Sequence, residues 1–120
     1  MTSPQERLAQ ERARYVAQLE AALARAVARL RELPQVVWVG ITGSYARGRR
    51  DLLTDLDLVV VMETELPFLQ RLMWLYPLLD LRVDADLFCY TPQEWEEMRQ
   101  RPFGKALARD LKVLYERQPR

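Results

Sequence analysis

The run Asp55-Leu56-Asp57-Leu58-Val59-Val60-Val61-Met62 constrains this chain more than any other stretch. Its second half is unbroken apolar sequence rich in valine, which reads as a strand buried inside a sheet. Side chains alternate along a strand, so Asp55 and Asp57 leave one face, with their Cα atoms roughly 6–7 Å apart, while Leu56 and Leu58 leave the other. Two carboxylates side by side at the head of a buried strand repel each other, and a divalent cation removes that penalty by using both. Just upstream, Val36-Val37-Trp38-Val39-Gly40-Ile41-Thr42 is apolar on both faces and β-branched, a second interior strand. The two strands therefore specify an α/β domain whose sheet is covered by helices.

Composition narrows the chemistry. With 120 residues the chain has the length of one domain, and 49% hydrophobic content supports a core. Eighteen basic residues against 17 acidic ones leave a net charge of +1, so nothing global draws the chain to nucleic acid or an anionic membrane. There is no His, which excludes a Ser-His-Asp triad and any His-ligated zinc. The single Cys89 excludes an internal disulfide and fits a reducing compartment. No leader-like apolar segment opens the sequence and no run approaches the length of a membrane span, so the expected setting is cytoplasmic. Catalysis here must rest on carboxylates, hydroxyls, Lys or Arg, a donor set that favours Mg²⁺ or Mn²⁺.

Periodicity supplies the other elements. Leu8, Tyr15, Leu19, Leu23, Val27 and Leu30 recur at helical spacing, predicting one long helix from about Gln5 to Leu33, opened by Ser3-Pro4 and ended by Pro34. A short helix over Tyr45 to Arg47, a loop over Arg49 to Thr54 and a strand from Asp55 to Met62 follow. Leu66 to Leu79 reads as a helix that is apolar nearly all round. It is either deeply buried or a patch for another subunit. Leu81 to Tyr90 reads as a third strand, with Asp84, Asp86 and Phe88 on one face. Thr91-Pro92-Gln93-Glu94 has capping-box spacing for a short helix. A helix over Gly104 to Asp110 and a short strand over Val113 to Tyr115 close the chain. The whole reads as one domain, 1–120, with an N-terminal helix over 1–33 and a core over 36–116.

The chemistry-bearing residues cluster around the first two strands. Asp84 and Asp86 repeat the Asp-x-Asp spacing, and a carboxylate from the third strand would meet Asp55 and Asp57 if the second and third strands are neighbours. Three converging carboxylates form the ligand set of a two-metal site. Gly43 permits a tight turn and close ligand approach. Ser44 offers a hydroxyl and an N–H at the start of a helical turn, where phosphate oxygens are favoured. Gly48 ends that turn. Arg47, Arg49 and Arg50 follow, with guanidinium geometry suited to phosphate.

Gly43-Ser44-Tyr45-Ala46-Arg47-Gly48 followed by Thr54-Asp55-Leu56-Asp57-Leu58 resembles the signature of the DNA polymerase β-type nucleotidyltransferase superfamily. The compact length, the Ala-Arg-Gly after the turn and the later Asp86-Leu87-Phe88-Cys89-Tyr90-Thr91-Pro92 resemble its minimal nucleotidyltransferase branch. The likeness runs from Val36 to Tyr115, with Thr54 where Ser is more usual. It implies a small mixed sheet with helices on one side and the carboxylates on the open face. It implies transfer of a nucleoside monophosphate, often AMP from ATP, to an acceptor hydroxyl with release of pyrophosphate. In that frame Gly43 and Ser44 hold the β- and γ-phosphates, and Arg47 adds a phosphate contact. Asp55 and Asp57 bind two Mg²⁺ ions, with Asp86 as the third ligand and helper in deprotonating the acceptor. Branch members commonly act with a helical partner of the HEPN class, as antitoxins that adenylylate a partner Tyr. A non-catalytic module that neutralises a partner by binding, a transferase for small molecules, and self-association all remain open at this point.

Overall fold

A computed structural model describes residues 1–119. Helix α1 spans Pro4–Arg31, with Ser3 accepting the Glu6 N–H at its N-cap (3.1 Å) and Pro4 in the first turn. Strand β1 is Val36–Thr42, the single turn α2 is Gly43–Ala46, and β2 is Leu56–Met62. Then come α3 (Phe68–Leu79), β3 (Ala85–Tyr90), α4 (Pro92–Met98), α5 (Pro102–Arg109) and β4 (Lys112–Glu116). The sheet order is β3-β2-β1-β4, with β2 parallel to β3 and the β1 pairings antiparallel. This is the mixed α/β sheet expected from the sequence.

Strand alternation divides the interior in two. Leu56, Leu58, Val60 and Met62 of β2 face α1 and α3, joining Leu19, Ala22, Ala26, Leu30, Leu75 and Leu79 in the main core. Val59 and Val61 face the opposite way into a second cluster with Tyr90, Trp95 and Leu107. Helices therefore lie on both faces rather than one. Trp95 of α4 packs edge-on against Trp38 with ring centroids 5.3 Å apart, which covers the far half of the second face. Its near end, at Asp57 and Asp86, is left uncovered by that packing.

Helix α1 overhangs the sheet. At about 1.5 Å per residue its 28 residues extend ~42 Å, far beyond any strand here. Its N-terminal turns are consequently exposed, and Leu8, expected on the core stripe, is 52% exposed. The C-terminal half is fixed through its arginines: Arg25 donates to the carbonyls of Asp80 and Leu81, and Arg29 to that of Leu78. These are the unpaired carbonyl ends of α3 and its following turn.

Two expected elements differ in detail. Helix α3 is not deeply buried: Arg71, Leu75 and Leu79 face inward, while Leu69 and Met73 are 66% and 67% exposed. Strand β3 begins only at Ala85, because Asp80 and Arg82 adopt left-handed backbone angles (φ 45° and 60°) that interrupt extension. Asp84 thus precedes the strand, where its carbonyl accepts the Leu56 N–H at 3.0 Å.

The capping box forms as its spacing predicts, with Thr91 Oγ1 accepting the Glu94 N–H and Glu94 accepting the Thr91 N–H. Glu94 also receives both terminal nitrogens of Arg71, at 2.6 and 3.2 Å, and this bond holds its carboxyl below the usual range. Arg71 is 5% exposed and donates further to the carbonyls of Leu66 and Cys89. One guanidinium thereby ties α3, β3 and α4 together. Arg71→Ala is expected to cost about 2–3 kcal/mol in denaturant unfolding, since it leaves a void and several acceptors unpaired. A loss below about 0.5 kcal/mol, the range of ordinary surface substitutions, would contradict that role.

Candidate active site

The site forms where β2 lies between β1 and β3. Antiparallel pairing sets Thr42 opposite Asp57, and parallel pairing sets Asp57 beside Asp86. The end of β1, from which the Gly43–Ser44 turn departs, is thus one strand away from Asp57 on one side, with Asp86 on the other. Asp55, two residues before Asp57, projects to the same face. Oxygen atoms of Asp55, Asp57 and Asp86 lie within 4.8 Å of one another. Asp84 is not among them.

Gly43 is required at its position for two reasons. Its φ is +73°, a left-handed angle that L side chains rarely adopt, and a Cβ there would run into the Asp57 carboxylate. The turn and the acidic cluster are therefore packed directly together. Thr42 Oγ1 donates to the Leu107 carbonyl (2.6 Å), fastening α5 beneath the turn. Gly48, at φ 101°, closes it after Arg47 and Gly48 donate back to the carbonyls of Gly43 and Tyr45.

The three arginines are tied in different ways. Arg47 bridges to Asp110 at 2.9 Å but is more than half exposed, so the pair holds it only weakly. It is close enough to oppose the rise in the Asp57 pKa. Arg49 pairs with Asp51, and Arg50 donates to the Tyr45 carbonyl while stacking 3.4 Å from the Tyr45 ring centroid. The structure thus groups Gly43, Ser44, Arg47, Asp55, Asp57 and Asp86, and directs Arg49 and Arg50 into loop contacts. Asp110 gave no signal in the sequence, because a lone acid at a helix end is ordinary.

Electrostatics mark Asp57. Burial first, and then the charges of Asp55 and Asp86, together push its carboxyl up to about 6, with Arg47 working the other way. An oxygen-only cluster that resists its own ionisation is a chemical match for a hard divalent cation, which would neutralise it. Cys89, buried with its thiol pushed up to about 12, offers no competing soft ligand.

Known proteins resemble this chain in family and in fold. The sequence model of the family described as "Nucleotidyltransferase domain" matches residues 23–117. No curated protein sequence matches. A crystal structure of a candidate nucleotidyltransferase from Sulfolobus solfataricus is 17% identical, with a TM-score of 0.57 over 92% of this chain and 87% of that one. A toxin–antitoxin structure with AMP-PNP is 21% identical, with a TM-score of 0.52 over 79% of this chain and 73% of that one. A toxin–antitoxin MntA-HpeT mutant is 20% identical, with a TM-score of 0.50 over 77% and 70% respectively. At these identities the solved structures are alike in fold.

The raised Asp57 pKa has a signed consequence. The folded state holds a proton that the unfolded state, with a carboxyl near 3.8, releases. Its contribution to stability is complete below pH 3.8 and is lost as pH rises through 6. Metal-free Asp57→Asn is therefore expected to melt higher than wild type near neutral pH by about 4 °C, the shift of ~1 kcal/mol after allowance for solvent screening. The gap should close as the buffer is acidified toward the unfolded value. Equal melting temperatures across the pH series would contradict the burial and mutual repulsion that raise the Asp57 carboxyl.

Proposed function

The chain belongs to the nucleotidyltransferase domain family, and from that premise we propose that it transfers AMP from ATP to a hydroxyl on a partner protein. The observation that carries this reading is the convergence of Asp55, Asp57 and Asp86 beside the Gly43–Ser44 turn. Asp55, Asp57 and Asp86 would hold two Mg²⁺ ions, with Mn²⁺ as a substitute. When bound, the ions supply neutralising charge for the triphosphate and favour ionisation of the acceptor hydroxyl. Gly43 and Ser44 hold the β- and γ-phosphates through backbone N–H and hydroxyl, and Arg47 reaches a phosphate oxygen by leaving its exposed bridge to Asp110.

The acceptor oxygen attacks the α-phosphorus in line, forming a new P–O bond as the bond to the β-phosphate oxygen breaks. Pyrophosphate departs with the bonding pair, and the acceptor proton passes to Asp86 and then to solvent. Asp86 suits that task because it is the exposed member of the cluster, on the outer strand of the sheet. Residues 1–33 and 36–116 act in this scheme as one minimal nucleotidyltransferase domain.

A Tyr on a HEPN-type helical protein is the acceptor in this proposal, and the role is that of an antitoxin. Its support is the fold shared with the toxin–antitoxin structures, one of which contains AMP-PNP. The uncovered apolar side chains of α3, Leu69 and Met73 among them, are the kind of surface a helical partner would bury. No helix among the described residues is long and apolar enough to cross a membrane, and the proposed setting is the cytoplasm.

Incubation with α-labelled ATP, Mg²⁺ and the product of the neighbouring gene tests the reading. Label should pass to that protein, and Asp55→Asn or Asp86→Asn should reduce transfer by at least about a hundredfold. Neutralisation of the partner that survives both substitutions without label transfer would replace the enzyme with a binding module.

A further inference from the structure

Two tyrosines that the sequence presents as packing residues end at the backbone beside the outer carboxylates. Tyr15 of α1 donates its hydroxyl to the Thr54 carbonyl at 2.7 Å, one residue before Asp55. Thr54 is 1% exposed and fixed from its other side as well. Its Oγ1 accepts the Asp51 N–H and donates to the Asp51 carboxylate, and its own N–H donates to the Asp51 carbonyl. The peptide leading into Asp55 is thus clamped between the loop and the long helix.

Tyr76 of α3 does the same for Asp86. Strand β3 is an edge strand, so residues alternately direct their N–H and C=O to β2 and to the outside. Asp86 itself pairs with Asp57 on β2. The Tyr76 hydroxyl accepts the Leu87 N–H at 3.1 Å and donates to the Ala85 carbonyl at 3.4 Å, closing the outward groups on either side of Asp86. One hydroxyl takes the place of a missing neighbouring strand at the residue where position matters most. Asp57 needs no such device, because β1 and β3 flank it.

We propose that Tyr15 and Tyr76 are positioning residues which hold the Asp55 and Asp86 carboxylates in register with Asp57, so that α1 and α3 are parts of the metal site as well as of the core. The inference rests on the metal-binding reading of the cluster. It also accounts for an economy of the fold: the backbone beside each outer carboxylate is braced by a helix of the main core.

Mn²⁺ binding to the full chain with AMP-PNP, read by calorimetry, tests it alongside thermal melts. Tyr15→Phe and Tyr76→Phe each delete one hydroxyl and leave the ring in place. Each should weaken Mn²⁺ by about tenfold, the lower end of effects from groups that orient metal ligands. Leu23→Ala, which loosens α1 in the core without reaching Thr54, should lower the melting temperature at least as much and leave Mn²⁺ affinity at the wild-type value. Wild-type affinity in both tyrosine variants overturns the proposal, and wild-type affinity in one removes that tyrosine from it. An equal loss in Leu23→Ala reduces the effect to general stability and also overturns it. Absence of Mn²⁺ binding by the wild type overturns the metal reading itself, and this inference with it.

Discussion

Everything at the candidate site depends on the register of β2. Leu56, Leu58, Val60 and Met62 are essentially inaccessible to solvent, facing α1 and α3, and that burial fixes which face Asp55 and Asp57 occupy. Because the side-chain period of a strand is two, a slip of one residue would turn Asp57 into the main core and Leu58 toward the open face. A carboxylate in that core would carry a desolvation penalty of several kcal/mol, which the hydrophobic pattern prevents. The same register brings the end of β1 and Asp86 to the two sides of Asp57. Hydrophobic burial on one face thus sets the geometry of the charge on the other.

The charged face is held against its own repulsion. Asp57 is partly buried between two other carboxylates, and its pKa is raised by that burial first and by the neighbouring charges second. The fold keeps them together by covalent spacing along β2, by strand pairing, and by the close seat of Asp57 on Gly43. Such local tension at an otherwise consistent structure is what a ligand-ready site looks like in physical terms. The covering of the second face follows the same logic. Trp38, Tyr90 and Trp95 seal the end away from the acids, and α5 stops at Asp110, beside the turn, leaving the acids accessible.

Most of what was legible in the sequence was local. Strand alternation put Asp55 and Asp57 on one face, Ser3-Pro4 and the Thr91–Glu94 box opened their helices where expected, and valine-rich runs marked the interior strands. What escaped depends on contacts distant in the chain. The stripe on α1 could not reveal that the helix outruns the sheet, so Leu8 read as core. The apolar surround of α3 did not show which side the sheet would cover. Asp84 and Asp86 are equivalent by spacing; the likeness of Asp86–Pro92 to the minimal branch singles out Asp86, and the structure brings Asp86, with Asp84 ahead of β3, to Asp55 and Asp57. Arg47 and Asp110 lie 63 residues apart, and Tyr15 and Thr54 lie 39 apart, so nothing in either neighbourhood announces the pair.

In the proposed function, Asp55, Asp57 and Asp86 act as one cation site addressed by the Gly43–Ser44 turn. Crystals grown with Mn²⁺ and AMP-PNP, with anomalous scattering used to locate the metal, test it most directly. Manganese is expected to be bound by all three carboxylates, with the β- and γ-phosphates against the Gly43 and Ser44 N–H groups. Manganese bound without Asp86, or a triphosphate seated away from that turn, would contradict it.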